Sequence, residues 1–197
     1  MSAPVLLTVG TNEDGVESAL RASEISCPDC GAALRLWGYG QPRTIRFSDG
    51  KRSITPRRGR CRSCGKTHVL LPTNLLFRRK DSAEVIGSAL SLAAGGMGVQ
   101  EIADTLDRSQ STVRDWKRRV LDLATEVRVH FTRLAVRLDS TVEITPTGNA
   151  FADAIAAVGA AGRSAVLRQV TKHPWHFASF TTNSMLLCNT NPSWTDP

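Results

Sequence analysis

Cys27-Pro28-Asp29-Cys30-Gly31 is repeated in form, thirty residues further on, as Cys61-Arg62-Ser63-Cys64-Gly65. Two residues between cysteines let a tight turn aim both sulfurs at one ion, and the following glycine accepts the open backbone that such a turn needs. Cys27, Cys30, Cys61 and Cys64 are therefore expected to form a closed tetrahedral site of four thiolates for one structural Zn2+. A closed site leaves no position for Lewis-acid chemistry. The competing readings are a redox C-x-x-C, which normally stands once at the start of a helix, and a disulfide framework, which belongs to an exported chain. The intervening loop exceeds the usual 15–20 residues, which points to an elaborated ribbon with strands at 34–37, 44–47 and 68–71. His68, four residues after Cys64, reads as a partly exposed strand histidine, with a spare-ligand role as the alternative. Cys188 stands apart and reads as a buried small apolar residue.

The cysteines lie in the most basic part of a chain of 197 residues and net charge +7. Residues 27–80 hold ten Arg, three Lys and two Asp, whereas residues 1–26 are acidic and the rest is nearly balanced. Self-repulsion on that scale in a small module makes sense where a phosphate backbone neutralises it, and the excess of Arg over Lys suits bidentate contacts. Arg57 and Arg58 are the chosen phosphate contacts. A composition of 41% hydrophobic and 22% charged residues fits a globular chain. The longest apolar stretch, residues 154–162, is shorter than a bilayer span, and residues 5–9 lack the flanks of a secretory signal. A cytoplasmic, nucleoid-associated protein is expected.

Beyond Arg78-Arg79-Lys80 the apolar period becomes helical. Asp81 with Glu84 resembles a capping box for a first helix carrying Ile86, Ala89, Leu90 and Ala93, which Gly95-Gly96 ends. A second helix covers residues 100–106, and Asp107-Arg108-Ser109 is the turn. Ser109 then caps a third helix whose Val113, Trp116 and Val120 face inward. Ser109, Gln110, Ser111, Thr112, Arg114 and Arg118 are left at the outer start of that helix, the part that meets base edges in a major groove, with Lys117 and Arg119 placed for phosphates. The bland alternative is a three-helix bundle with a basic face.

At this point the chain resembles the zinc-ribbon and homeodomain-like helix-turn-helix front end of bacterial insertion-sequence transposases, from Cys27 through Val120. Residues 60–72, Ile102-Ala103 and Ser111-Thr112-Val113-Arg114-Asp115-Trp116 resemble more closely a family of actinobacterial proteins that pairs the same modules. The resemblance implies double-stranded DNA as partner, often beside a transposase or other mobile-element protein. Arg108 departs from it, because such turns usually carry an apolar residue there.

Val120, Ala124, Val127, Phe131, Leu134 and Leu138 form a heptad stripe, compatible with a stem continuing the third helix toward a homodimer or with an internal core helix. Leu121, Val129, Ala135 and Val136 widen that surface beyond a coiled-coil seam. A second helix over 151–170 would pack on it, His173, Trp175 and His176 form a polar-aromatic turn without a carboxylate nearby, and residues 189–197 fray. The expected architecture is mainly α with a small β ribbon: an N-terminal tail (1–26), the ribbon (27–80), the helix-turn-helix (81–120), a helical stem, packing or dimerisation region (121–170) and a partly disordered end (171–197). Too few carboxylates remain after Asp139 for a two-metal transposase site. The chain is expected to be no enzyme but a sequence-specific DNA-binding regulator or transposition accessory factor. A truncated transposase retaining its end-binding region and a ribbon adaptor for protein or RNA are the alternatives.

Overall fold

A computed structural model describes residues 5–188 and Trp194. Among these, strands and helices mix more evenly than the sequence implies: six strands and seven helices. The strands are β1 (Val5–Val9), β2 (Leu34–Tyr39), β3 (Arg43–Phe47), β4 (Gly50–Ile54), β5 (Arg57–Cys61) and β6 (Thr67–Pro72). The helices are α1 (Glu13–Ala22), α2 (Ala83–Ala94), α3 (Val99–Thr105), α4 (Gln110–Leu121), α5 (Ala124–Leu138), α6 (Ala150–Leu167) and α7 (Pro174–Thr181).

The segment expected as a tail is structured. β1 joins a four-stranded sheet ordered β1-β6-β5-β2, parallel to β6, and α1 packs on that sheet. Leu20 of α1 is buried with Leu34, Leu70 and two of the cysteines, Cys27 and Cys61. The next residue along β6, Leu71, points to the opposite face and packs with Ile45, Phe47 and Leu75 beneath the β3–β4 hairpin. Alternation of side chains along one strand thus gives a small module two cores.

The remaining helices share a third core. Ser82, not Asp81, caps α2 by accepting from the Val85 N–H at 3.3 Å. α4 does not continue into a stem: it ends at Leu121, and α5 starts at Ala124 after Asp122-Leu123. The heptad stripe is an internal core, with Val120, Ala124, Val127 and Phe131 fully or almost fully buried. α6 packs on α5 and buries Ala154, Ala157, Ala161 and Ala165, small side chains that let neighbouring helices approach closely. By length and composition α6 could cross a membrane, but it is mostly buried inside the protein and serves as its core helix.

Residues 171–188 are ordered, and the expected polar-aromatic turn is the start of α7. His173 is its N-cap, accepting from the Trp175 N–H through Nδ1 at 3.2 Å. Trp175 lies on Gly87 of α2, where a Cβ would come within 2.2 Å of the indole, so only glycine permits this approach. His176 contacts the Glu84 carboxylate, a partner that sequence distance conceals. β1 is joined to the segment after α7, since Asn183 accepts from the Thr8 N–H at 2.8 Å and donates to the Leu6 carbonyl at 2.8 Å. The predicted fraying of 189–197 lies outside the described residues, Trp194 excepted.

Candidate metal centre and exposed helix face

The two cysteine turns are built alike. Gly31 donates to the Cys27 carbonyl at 2.9 Å and Gly65 to the Cys61 carbonyl at 3.0 Å, while Cys27 and Cys61 donate to Ala32 and Lys66 at 2.8 and 2.9 Å. Gly31 and Gly65 adopt φ of 73° and 74°, the left-handed backbone for which glycine is suited. The four sulfurs lie within 4.8 Å of one another, with Cys27 to Cys64 at 3.7 Å and Cys30 to Cys61 at 3.4 Å. A tetrahedron with metal–sulfur bonds of about 2.3 Å has edges of about 3.8 Å, so the quartet fits a metal ion. Without a cation four adjacent thiols cannot ionise together. The Cys61 thiol is pulled to about 7, foremost by the Cys64 backbone N–H. For Cys64, the Lys66 backbone N–H favours the thiolate, but burial and the other thiols outweigh it and push the group to about 11.

His68 is the residue the sequence misplaces. It is fully buried, not partly exposed, with Nε2 3.3 Å from Cys27 Sγ and 3.7 Å from Asp29 Oδ2. Asp29 in turn receives Lys66 Nζ at 2.5 Å. Burial holds the His68 pKa below its ordinary value, which favours the neutral ring. A neutral ring protonated on Nε2 is placed to donate to the Cys27 sulfur beside the quartet. The signal available beforehand was the alternation of β6, which puts His68 and Leu70 on the same face. Cys188 is half-buried instead of buried.

Residues 27–116 match a family model described as a domain of unknown function (DUF6431). The match takes in both cysteine pairs and runs through α2 and α3 into α4 as far as Trp116. No curated protein and no solved structure matches the chain.

At the far end of that segment, α2, α3 and α4 form a compact trio. Ser109 caps α4, with Oγ accepting from the Thr112 N–H at 3.3 Å and lying 3.0 and 2.8 Å from the hydroxyls of Ser111 and Thr112. Val113, Trp116 and Val120 are buried as expected. On the opposite face Arg114 is exposed and donates to Gln110 Oε1 at 2.7 Å. Arg118, largely exposed, bonds Asp115 at 2.8 Å.

Other basic residues are less free than their sequence suggests. Arg119 is drawn to Asp115 at 2.6 Å, and Arg79 reaches the same carboxylate at 3.3 Å and the Leu187 carbonyl at 2.6 Å. Those cations outweigh the desolvation that opposes ionisation and hold the Asp115 carboxyl below its usual range. Lys117 is half-buried, its ammonium 5.5 Å from the centre of the Phe151 ring. Arg57 pairs with Glu17 of α1 and lies 4.0 Å over the Tyr39 ring, and Arg58 is half-buried. Arg57 is thus engaged in holding α1 to the sheet, an assignment hidden while residues 1–26 are read as a tail.

Proposed function

We infer that this chain is a sequence-specific double-stranded DNA-binding protein, a transcription regulator or transposition accessory factor in which a zinc ribbon and a helix-turn-helix act together. The observation that carries this reading is the face of α4. Ser109 fixes the start of the helix, Val113, Trp116 and Val120 anchor its inner side, and Gln110, Ser111 and Arg114 stand on the outer side toward its N-terminus, with Arg118 exposed in the last turn. Gln and Arg are the side chains that pair bidentately with adenine and guanine in a major groove. The basic ribbon adds phosphate contacts, and the four-thiolate site holds one Zn2+ that organises it.

This geometry also supports Arg108 in the turn. Its side chain is buried on Asp81, so the turn is held by an ion pair where related motifs use an apolar residue. A truncated transposase that keeps its end-binding region would use the same surface. Selection from a random duplex pool with the metal-loaded protein tests the reading: a recovered consensus supports it. Recovery of no preferred sequence, with RNA or protein bait competing equally, would favour the adaptor role.

A further inference from the structure

The ribbon presents a second surface that duplex recognition by α4 leaves unused. β2 is an edge strand of the four-stranded sheet, and of its six residues all but Leu34 are exposed. Trp37 is 49% exposed, whereas the protein's other tryptophans, Trp116, Trp175 and Trp194, are buried. The Arg60 guanidinium lies 4.4 Å over the Trp37 ring. Arg35 and Arg60 are directly opposed in the β2–β5 register and both are exposed, the Arg35 guanidinium donating to the Ser23 hydroxyl. Like charges facing each other across a strand pair destabilise it, and an anion between them removes that cost.

We propose that Trp37, with Arg35 and Arg60, forms a binding site for unpaired nucleotides of single-stranded nucleic acid. The chemistry selects this occupant. A phosphate backbone satisfies the opposed guanidinium groups but has no use for an exposed indole. An indole stacks on the flat face of a base, and in a duplex those faces are covered by neighbouring base pairs. Only an unpaired strand offers a π-face and phosphates together. Gly38, at φ 90°, sits where the β2–β5 register shifts between Leu36 and Tyr39, which interrupts the pairing beside Trp37 before it resumes at Tyr39. This site extends the nucleic-acid reading given above, but its residues are separate from those of α4.

The test uses full-length, metal-loaded protein and a short labelled thymidine oligonucleotide, followed by anisotropy, beside a duplex selected by the wild type. Trp37→Ala is expected to weaken oligonucleotide binding about tenfold, and Trp37→Phe to restore most of it. Arg60→Gln should weaken oligonucleotide binding and flatten its salt dependence. Both Trp37 variants should keep the wild-type metal content and the wild-type duplex affinity, and Arg60→Gln should keep the metal content. Unchanged oligonucleotide affinity in Trp37→Ala, or equal losses for oligonucleotide and duplex, would overturn the proposal. A selected duplex without oligonucleotide binding overturns this site alone. Trp37-dependent oligonucleotide binding without any selected duplex overturns the α4 reading and leaves this site standing.

Discussion

The Asp81 carboxylate, 3% exposed, is held by the Arg108 side chain, 8% exposed, so the residue before the α2 cap is tied to the turn before α4. The other oxygen of Asp81 receives Arg46 of the β3–β4 hairpin at 2.5 Å, and Arg46 also exchanges backbone hydrogen bonds with Lys80 and Ser82. One buried carboxylate thereby fixes the hairpin, the start of α2 and the α3–α4 turn relative to one another. Removing one partner of a buried pair strands the other, at about 3 kcal/mol. Arg108→Leu should therefore lower stability by about 3 kcal/mol in urea unfolding. Arg46, a third exposed, should contribute about 1 kcal/mol or less. Recovery in the Asp81→Leu/Arg108→Leu double variant would identify the stranded charge as the cause.

Helix α7 depends on the absence of a side chain at Gly87. Alanine in a helix interior gains about 1 kcal/mol over glycine from propensity. At Gly87 the new methyl would overlap the Trp175 indole, and neither α2 nor α7 has room to retreat from their shared core. Overpacking of this kind costs about 1–3 kcal/mol or more, so Gly87→Ala should lower the melting temperature. Gly159→Ala, which meets only the flexible end of Arg163 at 3.0 Å, should be neutral or stabilising. Thermal melts of the two variants side by side give the comparison.

These contacts show why the sequence was legible in some places and opaque in others. The cysteine turns, the cap at Ser109 and the inward trio Val113, Trp116 and Val120 are local patterns, and the structure agrees with them. β1 was missed because its five residues, four of them apolar, pair in parallel with a strand some sixty positions away, a partnership without a local turn signal. α1 did carry a signal, since Asn12 accepts from the Gly15 N–H and Glu13 and Asp14 occupy the first turn, but its apolar face is short. The α4–α5 break has no Gly or Pro to announce it. Glu84 and His176, Asp81 and Arg108, and Cys27 and His68 are pairs that tertiary packing alone brings together.

At the metal centre, the intact quartet should bind one zinc per chain, and Cys61→Ser should abolish binding and unfold β5 and β6, because so small and charged a module has little other apolar support. His68→Ala keeps all four sulfurs but removes the buried ring beside Cys27. Loss of such an outer partner typically costs tenfold to a hundredfold in metal affinity. Competition with a chromophoric chelator measures that change, and cobalt substitution should shift the thiolate charge-transfer band. Unaltered affinity and spectrum would reduce His68 to a filler of the sheet core.

Acid should weaken the helical core through His130. Its ring packs edge-on against Phe131 and Trp194 at centroid distances of 5.0 and 5.3 Å, and burial, reinforced by Arg133 and Arg137, lowers its pKa. A histidine with a lowered native pKa stabilises fully above its unfolded value of about 6.5. That contribution is lost as pH falls from there toward the native value, because protons bind the unfolded chain first. Melting temperature should drop between pH of about 7.5 and about 5.5, and less so in His130→Phe. Parallel pH profiles for the two proteins would discount His130 if their slopes were the same.

The reading of α4 predicts a split between specificity and affinity. Arg114 and Gln110 are one turn apart and already hydrogen-bonded, so they present a single recognition unit, and altering either should change preference at the same base pairs. Arg114→Ala is expected to cost about 1–3 kcal/mol at the selected site and to relax one or two positions of the consensus. Lys117→Ala should weaken all sequences alike and modestly, because its ammonium is shared with the Phe151 ring. Arg57→Ala should act differently again: it releases Glu17 and loosens α1, so its effect belongs in a stability measurement more than in the salt slope. Selection with each variant against the same random duplex library separates these outcomes. An unchanged consensus for Arg114→Ala would remove base reading from α4 and leave the trio of helices as a structural bundle.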